Sequence, residues 1–374
     1  MRSILKIALM LCVVPAFAFS TAFAQSAELN TYHRLIKAGA EQLKQGDHRA
    51  ALGSFEEALR YVDTEPTAYL GLGMAFFHLR EDGKAERALK RALELNPKEK
   101  TAYQVLGDLS YRRDDLESAL SYWEKAVELD QGDEQLRKRL DRLRLEHRTE
   151  KDFNRDVTSH FTIKYEGRER IEAGRIVLKI LEDSYGDIGK ALAFYPDREI
   201  QVILYSDRQF QEVTNAPGWS GAVFDGKIRI PIGGVEQETP GLRALLYHEY
   251  THAVVRAIAA RVPTWLNEGL AQYFEGREVS VSQREALKRL SQAGKLPALA
   301  TLEGSFMGYG GDQAGYAYLI SLSAVRYLID QHGLYRVKMV LEELAKGADG
   351  AAAVSAAILV SFEEFEADWK KSLE

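Results

Sequence analysis

A period of 34 residues near the start of the chain constrains its fold more than any other feature. Ala51, Ala85 and Ala119 stand 34 apart (85 − 51 and 119 − 85), as do Phe55, Leu89 and Trp123, then Ala58, Ala92 and Ala126, and Gly39, Gly73 and Gly107. Tyr69 and Tyr103 keep the register, with Leu35 one period before them. A repeat of this length holds one pair of helices, which must stack on its neighbours to bury its apolar face. Small residues recur where two helices approach closely, and the large apolar residue fills the space between them. Polar turns are expected at Gly46-Asp47, Asp82-Gly83 and Asp114-Asp115, and Asn96-Pro97 closes one repeat. In residues 134–150, Leu136, Leu140 and Leu143 alternate with charged side chains, the pattern of an amphipathic helix that caps the open end of an array.

The repeats, over roughly residues 29–132, resemble the tetratricopeptide repeat family. That resemblance implies a concave surface for a peptide or protein. A rigid spacer that positions the following domain is the other reading of the same helices.

A chain of 374 residues is too long for one ordinary core, and 46% hydrophobic with 28% charged is the balance of folded, soluble domains. The formal charge is −6, from 49 basic and 55 acidic residues, and no long basic tract is present, so nucleic acid is not an expected partner. Arg2 and Lys6, an apolar run from Ile7 to Phe19, and Ala22-Phe23-Ala24 read as a signal peptide over residues 1–24, cleaved after Ala24. Its apolar core is short for a spanning helix, so the mature protein is expected in the periplasm or outside the cell, with no stable membrane anchor. Cys12 lies inside this leader, and Leu9-Met10-Leu11 lacks the small residue that a lipoprotein cysteine requires. The mature chain then holds no cysteine, which excludes disulfides and a cysteine nucleophile. Loss of Arg2 and Lys6 takes the charge from −6 to −8 (−6 − 2).

Beyond residue 150 the texture changes. His160 to Tyr165 alternates like a strand, Ile171 to Leu192 is periodic like a helix, Glu199 to Tyr205 is β-branched and apolar, and Lys227-Ile228-Arg229-Ile230 alternates again. This is α+β order. The expected organisation is a signal peptide (1–24), an all-α repeat domain with its capping helix (25–150) and an α+β domain (151–374).

Thr239-Pro240 opens a helix expected to run to about Val262, where Pro263 stops it. It contains His248-Glu249-Tyr250-Thr251-His252. Residues four apart share a face, so both imidazoles can reach one metal ion, while Glu249 points about 100° round the helix, beside the open coordination position. Leu245, Leu246, Ala253, Val254 and Val255 surround the motif, so its polar groups are at least half-buried and need partners. A third ligand follows in Trp265-Leu266-Asn267-Glu268-Gly269-Leu270-Ala271, where Glu268 is acidic among apolar neighbours. Two histidines and a glutamate, with a fourth position for water, make the catalytic form of a zinc site. An ordinary first-turn glutamate favoured by the helix dipole is the plainer reading of Glu268.

This half resembles the gluzincin-type metallopeptidases, and most closely the bacterial peptidase MA-like domains found behind tetratricopeptide repeats. The matching residues are the His248–His252 motif, the short link through Pro263, the segment from Trp265 to Ala271, and Tyr318-Leu319-Ile320-Ser321-Leu322 with Val325-Arg326-Tyr327-Leu328 after it. The implied fold is zincin-like, with one catalytic zinc ion. Glu249 is the implied base that deprotonates the attacking water and returns the proton to the leaving nitrogen. Tyr318 takes the place of a tyrosine that hydrogen-bonds the oxyanion, with Tyr316 as the alternative; two tyrosines packed on a helix face is the plainer reading. Lys227, Ile228, Arg229 and Ile230, just before the metal helix, are the implied substrate-binding strand, holding an extended peptide along its edge. Only 15 residues separate His252 from Glu268, so the two helices are tightly joined. The glycine-rich, glutamate-bearing motif of aminopeptidases is absent from its expected region, which points to an endopeptidase. Gln272 stands where thermolysin-like enzymes carry an Asp that orients a ligand, so that support comes from Gln272 or another group. Gly308, Gly310 and Gly311 around Tyr309 suggest a mobile loop near the cleft, with a plain surface loop as the equal alternative. Two rival readings share these residues: an exported repeat scaffold with a non-catalytic metal site, and hydrolysis of a non-peptide amide.

Overall fold

The structure is a computed structural model that describes residues 16–167, 170–215, 221–232 and 235–373. Of the expected leader, residues 1–15 with Cys12 lie outside the described residues, and residues 16–24 open the backbone of α1 (Ala16–Gln45). No described helix is long and apolar enough to cross a membrane. The chain divides into two compact units, Met1–Arg144 and Leu145–Glu374.

The first unit is a stack of helix pairs: α1 with α2 (His48–Ala58), α3 (Pro66–His78) with α4 (Asp82–Leu95), and α5 (Lys100–Arg112) with α6 (Leu116–Leu129). The period of 34 is visible in the backbone. Gly46, Arg80 and Asp114 take left-handed φ values of 83°, 61° and 61°, one per repeat. The second turn therefore falls at Arg80-Glu81, and Asp82-Gly83, expected as a turn, instead opens α4. The array repeats a turn geometry rather than a composition, and a non-glycine residue accepts the left-handed well where packing requires it. The small and large positions complement each other as the period demands. A methyl group on Gly39, Gly73 or Gly107 would overlap Phe55, Leu89 or Trp123 respectively. Leu136, Leu140 and Leu143 of α7 (Glu134–Glu150) cover Leu116, Ala119 and Trp123, closing the array.

The second unit begins with the last residues of α7, 145–150. Its sheet has the order β1-β2-β3-β5-β4, from β1 (Asn154–Val157), β2 (Phe161–Tyr165), β3 (Ile200–Tyr205), β4 (Val223–Phe224) and β5 (Ile228–Pro231). β2, β3 and β5 are parallel, and β1 and β4 run antiparallel at the two edges. The crossover helix α8 (Ile171–Leu192) buries Val177, Ile180, Leu181 and Ile188 against Ile163, Val202, Leu204, Ile228 and Ile230. Alternate residues Ile203 and Tyr205 face the other way, onto Phe210 and Val213 of α9 (Asp207–Thr214) and onto Leu145 of α7. Helices α10 (Pro240–Ile258), α11 (Thr264–Phe274), α12 (Val281–Gln292), α13 (Gly311–His332), α14 (Leu334–Ala345), α15 (Gly350–Ile358) and α16 (Phe362–Ser372) follow. They build a second core around Trp265, Leu328, Leu341 and Trp369. The architecture is thus an all-α tetratricopeptide solenoid followed by an α+β, zincin-like domain.

One expectation is corrected here. Lys227, Ile228, Arg229 and Ile230 do not offer a free edge, because β5 pairs with β3 on one side and with β4 on the other. Ile228 and Ile230 are core residues, and Lys227 and Arg229 are buried in an ionic cluster. Lys227 Nζ lies 2.7 Å and Arg229 Nη2 3.0 Å from Glu146 Oε1 of α7, and Lys164 Nζ lies 2.9 Å from Glu150 Oε2. Tyr205 donates to Glu150 and accepts from Arg229. The alternating charges mark a strand whose polar face is covered by a helix that stands about 80 residues earlier in the chain, as the 81-residue separation of Lys227 from Glu146 records.

Candidate metal centre

Helix α10 is the wall on which the site is built. Thr239 caps it, its hydroxyl accepting from Leu242 N at 3.1 Å, and Pro240 supplies a preset first turn. Leu246, Tyr250 and Val254 bury one stripe of the helix in the sheet-side core, and Val255 buries another in the helical core. The stripe between them carries His248, Glu249 and His252 into a cavity of about 970 Å³. The helix ends at Ile258 rather than near Val262, because Ala259 turns extended (φ −134°, ψ 125°) and is itself buried in the helical core. Residues 259–263 make the turn that brings α11 back across α10.

α11 is held by Trp265, Leu266, Leu270 and Ala271 in the core. Gly269 lets it approach the backbone of α13, where a side chain would overlap Ser321 O and Val325. Glu268 is left facing α10. His248 Nε2 and His252 Nε2 stand 3.5 and 3.7 Å from Glu268 Oε2. The two rings are 4.8 Å apart and nearly perpendicular at 87°. One ligand atom from each of the three residues lies within 4.8 Å of the others. Glu268 Oε2 is buried with no hydrogen-bond donor among the described residues. A buried carboxylate oxygen left this way is costly unless a cation meets it.

Sequence reasoning missed the residue that orients His248. Glu275, just after α11 and seven residues beyond Glu268, accepts from His248 Nδ1 at 2.8 Å. A carboxylate only accepts, so Nδ1 carries the proton and Nε2 presents its lone pair to the cavity once the ring is neutral. Spacing puts Glu275 near the face of Glu268, since residues seven apart share a helix face, but does not say which group on α10 it will meet. Gln272, the first candidate for that support, serves elsewhere: its Nε2 donates to Tyr318 O at 2.8 Å and Glu268 O at 3.2 Å, tying α11 to α13.

The electrostatics fit a cation. Burial alone would lower His248, but Glu268 and Glu275, with Glu249 nearby, outweigh it and raise the imidazole to about 10. Burial pushes the Glu249 carboxyl up to about 7, with Glu268 and Glu275 adding to the rise and His248 opposing it. Burial lowers His252. Three carboxylates around two imidazoles are short of positive charge, and two nitrogens with one oxygen are the donor set that zinc takes with a position left open.

Tyr318 lines the same cavity, and burial, followed by the nearby carboxylates of Glu268 and Glu249, raises its phenol. Tyr316 is exposed and is not among the lining residues. Gly311 and Gly315, at the start of α13, line the cavity, whereas Gly308, Tyr309 and Gly310 are not among the lining residues. The opposite wall is β4, with Val223 and Phe224 both lining the cavity. A strand of two residues has no periodicity to read in the sequence.

Comparison with known proteins places both halves. YsoA, a TPR repeat-containing protein of Bacillus subtilis (strain 168), is 36% identical over 61 residues, 16% of this chain and 18% of that protein. BBSome complex member BBS4 of Bos taurus is 32% identical over 83 residues, 22% of this chain and 16% of that protein. The chain therefore spans less than a fifth of the length of either curated relative. The solved structure of the first TPR of Spaghetti (RPAP3) bound to an HSP90 peptide aligns at TM-score 0.30 and 21% identity, over 31% of this chain and 93% of that one. A tetratricopeptide repeat model matches residues 42–109. The Peptidase MA superfamily model matches residues 188–374, half of the 374 residues and the half that carries His248, His252 and Glu268, so the chain belongs to the Peptidase MA superfamily, behind a tetratricopeptide repeat region.

Proposed function

We propose that this chain is an exported zinc metallopeptidase, acting in the periplasm or outside the cell, that cleaves internal peptide bonds of protein or peptide substrates. Its repeats bind substrate or a partner protein. The observation that carries the reading is the convergence of His248 Nε2 and His252 Nε2 on a donorless, buried Glu268 Oε2, with Glu249 in the same cavity.

His248, His252 and Glu268 hold the ion in this reading. Zinc, when bound, supplies Lewis acidity, which lowers the pKa of water and polarises a carbonyl. Glu249 takes a proton from the attacking water at its carboxylate and delivers it to the leaving nitrogen, and a buried carboxyl raised toward neutrality suits a base at physiological pH. The Tyr318 hydroxyl donates to the oxyanion. The outer edge of β4, rather than β5, pairs with an extended substrate.

The test uses purified full-length protein, its zinc content and its hydrolysis of casein and of a peptide library. About one zinc per chain is expected, and Glu249→Gln retains the metal while losing activity by a factor on the order of 10²–10⁴. Activity that persists in Glu249→Gln overturns the reading. In cells, new protein termini found with the wild type and absent with Glu249→Gln would name the substrates. A biological role unaffected by Glu249→Gln but lost on disruption of the repeats would favour the scaffold.

A further inference from the structure

The cavity continues along α10 beyond the metal ligands. His248, His252 and Arg256 stand at successive four-residue steps and share one face, and Arg256 lines the same cavity. At a rise of about 1.5 Å per residue, its Cα lies roughly 6 Å along the axis from that of His252. That is close to two residues of an extended peptide, at about 3.3 Å each. Helix side chains lean toward the N-terminus, which inclines the guanidinium over the turn that carries His252.

Arg256 is exposed and makes no ion pair or hydrogen bond among the described residues. Of the other charged groups of the cavity, Glu249 is buried and the rest are engaged with one another or with their neighbours. Glu268 faces the histidine pair, Glu275 holds His248, and Arg277 Nη1 stands 3.3 Å from Gln272 Oε1 and 3.7 Å from Glu275 Oε1. Beside Arg256 the wall is Val255, Ala259, Ala260 and Val262, which are apolar and mostly small. A guanidinium over such a wall has its donors directed at whatever enters. On an unmodified peptide, the group whose geometry matches two parallel N–H donors is a carboxylate.

We infer that Arg256 is a substrate-recognition residue that receives a carboxylate about two residues from the scissile bond; this rests on the peptidase reading of the site. The carboxylate is an Asp or Glu side chain, or the C-terminus of the substrate. The competing account is that Arg256, in the last turn of α10, only complements the helix dipole.

The experiment immobilises zinc-charged, full-length Glu249→Gln protein and passes over it a proteome-derived peptide library, one half with amidated C-termini. The same is done with Glu249→Gln/Arg256→Gln and Glu249→Gln/Arg256→Glu, after equal zinc content has been verified. Retention of carboxylate-bearing peptides is expected to fall about fivefold in the Gln variant, the scale of one exposed charge pair, and to give way to Lys- and Arg-bearing peptides in the Glu variant. Loss confined to peptides with free C-termini identifies the terminus; loss in both halves identifies the side chain. Identical retained sets in all three proteins overturn the inference. Cleavage-site profiles of wild type and Arg256→Gln separate the two readings: active protein with an unaltered profile removes the role of Arg256 and leaves the peptidase standing. Charge-dependent retention without any wild-type cleavage does the reverse.

Discussion

The chemistry of the site turns on how few groups are left to hold each side chain. His248 has its orientation from Glu275, and the structure gives Glu249 no comparable tether beyond burial. Glu275→Gln is therefore expected to weaken zinc binding about 10- to 100-fold, read by competition with a chromogenic chelator, whereas Glu249→Gln leaves that affinity close to wild type. Equal affinity in the two variants would show that His248 is oriented by something else. Tyr318 is expected to act on the rate and not on the metal. Tyr318→Phe should lower kcat by about 10²-fold, as loss of an oxyanion donor does, with KM and zinc content unchanged. The His pair was legible in the sequence because residues four apart face alike on any helix. Glu275 was not, since its reach to His248 depends on where the link through Pro263 sets α11.

Among the elements, the last turns of α7 matter more than their place at a domain boundary suggests. Burial would push the Glu146 carboxyl up, but Arg229 and Lys227 outweigh it and hold it at about 2, against an ordinary 4.5. A carboxyl depressed in the folded state contributes stability that is complete above about pH 4.5 and is lost as pH falls toward 2. The urea midpoints of wild type and Glu146→Gln should therefore differ at pH 7 and converge on acidification. A fragment begun at residue 151 removes Glu146 and Glu150 from buried Lys227 and Arg229. Breaking a buried pair costs about 3–5 kcal/mol, so the fragment should melt well below one begun at residue 134, as circular dichroism would show. In the repeats, Gly107→Ala forces a methyl group into the Trp123 ring and should cost about 1–3 kcal/mol. That packing was legible beforehand, because the period of 34 aligned every small position with a large one.

At the scale of the whole molecule, the two units have separate cores, and His248, His252 and Glu268 all lie in the second. Zinc at about 100 times its Kd stabilises the binding unit by about 2.7 kcal/mol. In calorimetry of the full chain, zinc should raise the transition of Leu145–Glu374 and leave that of the repeats in place; a single transition that shifts as a whole would show the units unfolding together. If the leader is cleaved as proposed, protein recovered from the periplasm or the medium should begin at Gln25 on N-terminal sequencing. What the sequence determined by itself was whatever follows from spacing along the chain: the repeat period, the face of α10 that His248 and His252 share, and the placing of Glu268 after a short link. Each depends on a local helical geometry that any context preserves. The tertiary structure alone decided that β5 is interior and β4 the edge, that α7 neutralises Lys227 and Arg229, and that Glu275 stands behind His248. Strand order and charge pairing join residues as far apart as 81 positions, and no periodicity along the chain encodes which distant groups will meet.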